Sequence, residues 1–113
     1  LIEEMRGLKQ ENLVVILLDT QNRMIKKKTL FIGTVNQSIA HPREIFREAV
    51  RHSATGILIA HNHPSGDTTP SKEDKILTKK IVKNGVMIGI PLLDHLIIGG
   101  EKYYSFREQG EIG

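Results

Sequence analysis

Residues 56–74 constrain the fold of this chain more than any other stretch. Gly56-Ile57-Leu58-Ile59-Ala60 is an apolar run of strand length, and it ends in His61-Asn62-His63-Pro64-Ser65-Gly66. A turn follows, and Thr69-Pro70-Ser71-Lys72-Glu73-Asp74 opens a helix, because Pro70 pushes Thr69 out of helical geometry and sharpens the boundary before Ser71. Side chains alternate along a strand, so His61 and His63 leave its end on the same side. Two imidazoles there, with the carboxylate of Asp74 at the helix start, match a three-ligand metal site that keeps one coordination position open. Each piece also has an ordinary role. A His-x-His pair alone is a weak signal, and Ser71-x-x-Asp74 has the spacing of a helix capping box. The whole arrangement is far more specific than its parts.

Length and composition set the frame. At 113 residues with 39% hydrophobic content, the chain is expected to form one domain with a modest core. The longest apolar stretch, Leu13-Val14-Val15-Ile16-Leu17-Leu18, is strand-sized and falls well short of the roughly 20 residues of a membrane span. A soluble domain with no membrane partner is therefore expected. The first residue is Leu1 rather than methionine, which reads as a piece of a longer protein. Cysteine is absent, so any metal must be held by histidine and carboxylates, a donor set that suits a hydrolytic zinc site. The same absence fits a cytoplasmic protein.

The net charge is +3, with Lys26-Lys27-Lys28 and Lys79-Lys80 as local clusters. An excess of this size reads as solvated faces rather than a nucleic-acid footprint. With 4% aromatics and no Trp there is little material for base stacking.

Taken in order, Leu1 to Gln10 reads as a tail, linker or short amphipathic turn, and the domain proper spans residues 11–113. Leu13–Asp19 reads as a buried strand, Asp19-Thr20-Gln21-Asn22 as a turn, and Arg23–Ile32 as the returning strand of a hairpin. The three lysines of that second strand belong at a sheet edge or in water. Gly33–Ala40 is a connector with room for a further strand, and His41-Pro42 opens a helix whose inner stripe is Ile45, Phe46, Ala49 and Val50. After the 56–74 stretch, a helix is expected from Lys72 to Lys83, with Ile76, Leu77, Lys80, Ile81 and Val82 facing inward and Asn84-Gly85 as its stop. Val86–Ile90, Leu92–Ile98 and Lys102–Phe106 read as strands. The order ββαβαβββ predicts an α/β fold, a mixed β-sheet flanked by helices.

The word His61-x-His63-Pro64, with Ser71 and Asp74 after it, resembles the JAMM signature of MPN-type metalloproteins. His41-Pro42-Arg43-Glu44, His61-Asn62-His63-Pro64-Ser65-Gly66 and Leu93-Asp94-His95 are similar to the RadC branch of that superfamily. The resemblance runs from about Glu11 to Gly110. It implies an MPN/JAMM-like (cytidine-deaminase-like) architecture and a zinc ion held by His61, His63 and Asp74, with Ser71 beside it as a candidate catalytic hydroxyl. The family places a glutamate before its first core strand, a position Glu11 fills as the implied general base. Glu44 competes for that role and Glu73 more weakly, while Glu44 also suits the first turn of its helix as a dipole partner. Other MPN peptidases follow the glutamate with Cys-Gly, where this chain has Asn12-Leu13-Val14, which leaves base and substrate class open. Asn62 is expected to point away from the metal and fix the loop, and His95 to be a buried, hydrogen-bonded histidine or, as the lesser reading, a support behind the metal ligands.

Two functions are then in play, beside a third, blander one in which the chain is a metal-free interaction scaffold that keeps the MPN fold. One is a zinc metallohydrolase cleaving an amide or isopeptide bond in a peptide or protein. The other follows the family's DNA-repair label: an accessory or interaction module, with DNA contact through an upstream region or the lysine clusters.

Overall fold

A computed structural model of the chain describes residues 5–6, 10–33 and 42–112. The connector over 34–40, His41 and most of the 1–10 segment lie outside the described residues. The elements are β1 (Glu11–Leu18), β2 (Met24–Gly33), α1 (Pro42–Arg51), β3 (Gly56–Asn62), α2 (Lys72–Ile88), β4 (Leu92–Gly99) and β5 (Lys102–Ser105). The strands form one sheet in the order β2-β1-β3-β4-β5. Only β3 and β4 run parallel; the other neighbours are antiparallel. The sheet is therefore mixed, as expected for this α/β fold, and α2 is the crossover between its parallel pair.

The β1–β2 hairpin closes because Asp19 Oδ1 accepts the N–H groups of Gln21 and Arg23, each at 2.9 Å, while Asn22 takes a positive φ of 60°. Asn tolerates that conformation better than most residues. β2 lies at the sheet edge, and Lys26, Lys27 and Lys28 are exposed along it, where charge opposes pairing with another chain.

Both helices pack on one face of the sheet. Leu13, Val15 and Leu17 of β1, Ile57 and Ile59 of β3 and Ile97 of β4 meet Ile45, Phe46 and Ala49 of α1 and Leu77 and Ile81 of α2 in one buried cluster. On the opposite face Val14, Ile16, Leu18, Ala60 and Ile98 bury with Met5. Burial on both faces explains why β1 is apolar without alternation.

Three expectations are corrected. Helix α2 does not stop at Asn84-Gly85 but runs to Ile88, so Val86–Ile90 is not a strand. Gly85 is there for space: a Cβ on it would meet the Ile90 carbonyl oxygen at 2.6 Å. The helix ends instead at Gly89, in the left-handed region at φ 86°, with its N–H bonded to the Gly85 carbonyl. The inner stripe of α2 is Asp74, Leu77, Thr78, Ile81 and Gly85, whereas Ile76 and Lys80 face solvent and Val82 is half-buried. In α1, Val50 lies outside the core, since Ile45, Phe46 and Ala49 fill the space over the sheet.

Candidate metal centre

Strand register assembles the first half of the site. Leu13 of β1 pairs with His61 of β3, so Glu11, two residues earlier on the same face, stands beside the end of β3. Its Oε1 lies 2.5 Å from His61 Nε2. His63, just past the strand, donates its backbone N–H to the Ile98 carbonyl at 2.8 Å. The loop after it is pinned by a close backbone approach: a Cβ on Gly99 would meet the Gly66 carbonyl oxygen at 2.7 Å. His63 Nδ1 sits 2.8 Å from the Asp67 carbonyl. A carbonyl only accepts, so Nδ1 carries the proton and Nε2 is left for the site, the arrangement that orients metal-ligating histidines.

Helix α2 supplies the rest. Asp74 Oδ2 lies 3.1 Å from His63 Nε2, and its Oδ1 lies 3.4 Å from His61 Nδ1. The same carboxylate accepts the Ser71 N–H at 2.8 Å, while Ser71 Oγ accepts the Asp74 N–H at 3.0 Å. The capping box is therefore real, and it aims Asp74 at both rings rather than away from them. Among the described residues the Ser71 hydroxyl proton meets no acceptor, so the group can donate at the edge of the cluster.

Among the described residues, Glu11, His61 and His63 each offer a donor atom within 4.8 Å of the others, and Asp74 abuts both imidazoles. The structure thus brings together Glu11, His61, His63, Ser71 and Asp74. Glu44 stays in the first turn of α1, 3.9 Å from Arg43, and Glu73 faces solvent on α2; neither joins the cluster.

The buried carboxylate of Asp74 and the part-buried one of Glu11 converge on two imidazoles there, a charge balance that calls for protons or a cation. Burial pushes the Asp74 carboxyl up, but the His63 hydrogen bond, the charge on His61 and the Ser71 donors outweigh it and hold its pKa at about 2. His63 is held above the ordinary histidine value, mainly by its bond to Asp74 and against burial. Among the described residues the buried His61 Nδ1 makes no hydrogen bond, its nearest carboxylate oxygen being Asp74 Oδ1 at 3.4 Å. Nitrogen and carboxylate donors without a thiolate, one nitrogen left over, fit zinc or a similar divalent ion.

Around these groups lies a supporting layer that the sequence shows only in part. The Asn62 side chain turns away from the site as expected, but it fixes more than its own loop. Its Nδ2 donates to the Gln10 carbonyl at 2.9 Å and its Oδ1 accepts the Asn12 N–H at 2.6 Å, clamping the backbone on both sides of Glu11. His95 is buried and hydrogen-bonded, with its ring stacked on Phe106 at 4.7 Å. Its Nδ1–H donates to Thr78 Oγ1 at 2.6 Å, and the Thr78 hydroxyl donates to the Asp74 carbonyl at 2.8 Å. Thr78 was missed by sequence reasoning; its signal is the spacing of four from Asp74, which places it on the same helix face.

Burial, reinforced by the charge of His61, pulls the His95 pKa from 6.5 down to about 3. Between those values the unfolded chain takes up a proton that the folded chain refuses, so stability falls as pH drops through that window. For the metal-free protein we expect His95 to contribute a loss of about 1.4 kcal/mol per pH unit there. Urea unfolding at stepped pH, wild type minus His95→Gln, checks this; parallel curves for the two proteins would refute it.

A family model described as RadC-like JAB domain matches residues 1–111. The chain is 57% identical over 109 residues to a UPF0758 protein of Enterococcus faecalis, covering 96% of this chain and 47% of that protein. It is 54% identical over 111 residues to a UPF0758 protein of Geobacillus sp. (strain WCH70), with 98% and 49% covered. Against a UPF0758 protein of Bacillus cereus (strain B4264) it is 53% identical over 112 residues, with 99% and 50% covered. The chain spans about half the length of these relatives.

Proposed function

The chain belongs to the RadC-like JAB domain family, and from that premise we propose that it is a zinc-dependent hydrolase of amide or isopeptide bonds in a peptide or protein, working in the cytoplasm. The observation that carries this reading is the convergence of Glu11, His61, His63 and Asp74 at the end of β3. In the proposal His61, His63 and Asp74 are the metal ligands, and Glu11 and Ser71 act on the substrate.

A zinc ion held there supplies a Lewis acid that polarises a carbonyl and brings the pKa of water to roughly 7. The chain's own groups do the remainder. Glu11 accepts a proton from the water that attacks the amide carbon. It then returns that proton to the departing nitrogen as the C–N bond breaks, the double duty of a general base and acid. Asn62 keeps Glu11 in place by holding the residues either side of it. Ser71 donates its hydroxyl proton toward the oxygen that gains charge. The Ser71 cap and the Thr78 contact hold Asp74 to its helix while this happens.

The test is metal content. Purified chain, dialysed against trace zinc, is expected to retain close to one ion per chain, and His61→Ala to retain almost none. The zinc-loaded protein is then screened against peptide and isopeptide libraries. Equal metal content in both proteins would overturn the reading.

A further inference from the structure

Away from the metal centre, α1 and α2 leave an open cleft of about 1240 Å³ between them. That is more than the roughly 300–1,000 Å³ of small-molecule sites, and it suits a macromolecular segment. Its floor is apolar: Phe46 at the base, with Val50, Met87 and Ile88 at 60%, 79% and 49% exposure. Large apolar side chains this open and this adjacent mark a contact surface. Its walls are cationic. Arg43, Arg47 and Arg51 repeat at every fourth position of α1, and Lys80 and Lys83 face them from α2; among the described residues no carboxylate lines the cleft, although Glu44 lies 3.9 Å from Arg43. The nearby acid Glu48 is buried against Lys28 and His52 instead. Arg47, Arg51, Lys80 and Lys83 form no ion pair among the described residues.

We propose that this cleft docks an acidic amphipathic helix of a partner protein, with apolar side chains at i, i+3 and i+4 against the floor and Asp or Glu along both flanks. Charge complementarity selects that occupant. A helix laid in a groove uses apolar anchors for affinity, and the two basic rows fix its sign and register. Nucleic acid fits less well, because the exposed floor is aliphatic and gives bases nothing to stack on. The proposal stands on α1 and the C-terminal half of α2 alone and needs neither metal nor hydrolysis. Met87 lies roughly 20 Å along α2 from Asp74, so the two sites share a helix without sharing residues.

Fluorescence anisotropy with a labelled peptide of about 18 residues tests it, with leucines at i, i+3 and i+4 and glutamate at most other positions. The chain is expected to bind this probe at least about tenfold more tightly than a scramble of the same composition or a lysine-for-glutamate version. Arg47→Glu with Lys83→Glu, and separately Met87→Glu, are each expected to weaken it by about tenfold or more. All three positions are exposed or line the open cleft, and circular dichroism verifies that the variants fold. A scramble that binds equally, variants that bind normally, tighter binding of a single-stranded oligonucleotide or of anionic phosphatidylglycerol vesicles, or a concentration-dependent dimer abolished by Met87→Glu would each overturn the assignment.

Discussion

Asp74→Asn is expected to empty the metal centre while leaving the fold almost untouched, and Asp74→Ala to do both kinds of damage. The difference follows from the two jobs of one carboxylate. As a cap partner, Asp74 accepts the Ser71 N–H at 2.8 Å, and asparagine keeps an oxygen to do the same. As a ligand it must bring charge between two imidazoles, 3.1 and 3.4 Å away, and asparagine brings none. We therefore expect Asp74→Asn to lose at least about a hundredfold in zinc affinity, more than the removal of a mere supporting contact, with a stability change below about 1 kcal/mol. Asp74→Ala should match that affinity loss and add roughly 1–2 kcal/mol of destabilisation from the broken capping box. Metal titration calorimetry beside urea unfolding separates the two. Stoichiometric tight zinc in Asp74→Asn would leave the residue a helix cap and nothing more.

Glu11→Gln is expected to keep its zinc and lose its turnover, by about 10²–10⁴-fold, the range of a general base removed from a proton-transfer step. Glutamine preserves the size and the neighbours of the side chain, and Asn62 still grips the backbone at Gln10 and Asn12. The measurement has a second edge, because a Glu11 oxygen lies within 4.8 Å of donor atoms of both His61 and His63. If Glu11→Gln released the ion along with the activity, Glu11 would be a ligand and the base would have to be sought elsewhere. Unchanged turnover would remove it from the mechanism.

What the sequence makes legible here is what neighbours in the chain decide. The strand that carries His61, the capping box of Ser71 and Asp74 and the edge lysines of β2 all follow from spacing and side-chain chemistry, and the structure carries them. Contacts that depend on register across the sheet are a different matter. Glu11 and His61 are fifty positions apart, and no periodicity joins them; only the likeness to a family pointed at Glu11. The same holds for the run His95–Thr78–Asp74, which links a strand to a helix across the core. The misplaced end of α2 has a local cause. Asn84-Gly85 is a common helix stop, but here the glycine makes room for the returning chain at Ile90, a requirement visible only once that chain is in place.

The capping box has a last consequence, for the order in which the protein matures. Ser71 fixes the Asp74 side chain with bonds that need no ion, and Thr78 and His95 brace the turn behind it. Contacts within the chain are thus enough to set the position of the Asp74 side chain. Zinc acquisition should be a late filling of a finished protein rather than a nucleus for folding, unlike small zinc-dependent folds that collapse only around their metal. The metal-free chain of the acid titration already carries the check: a native near-ultraviolet spectrum at neutral pH agrees with late filling, and a disordered one does not.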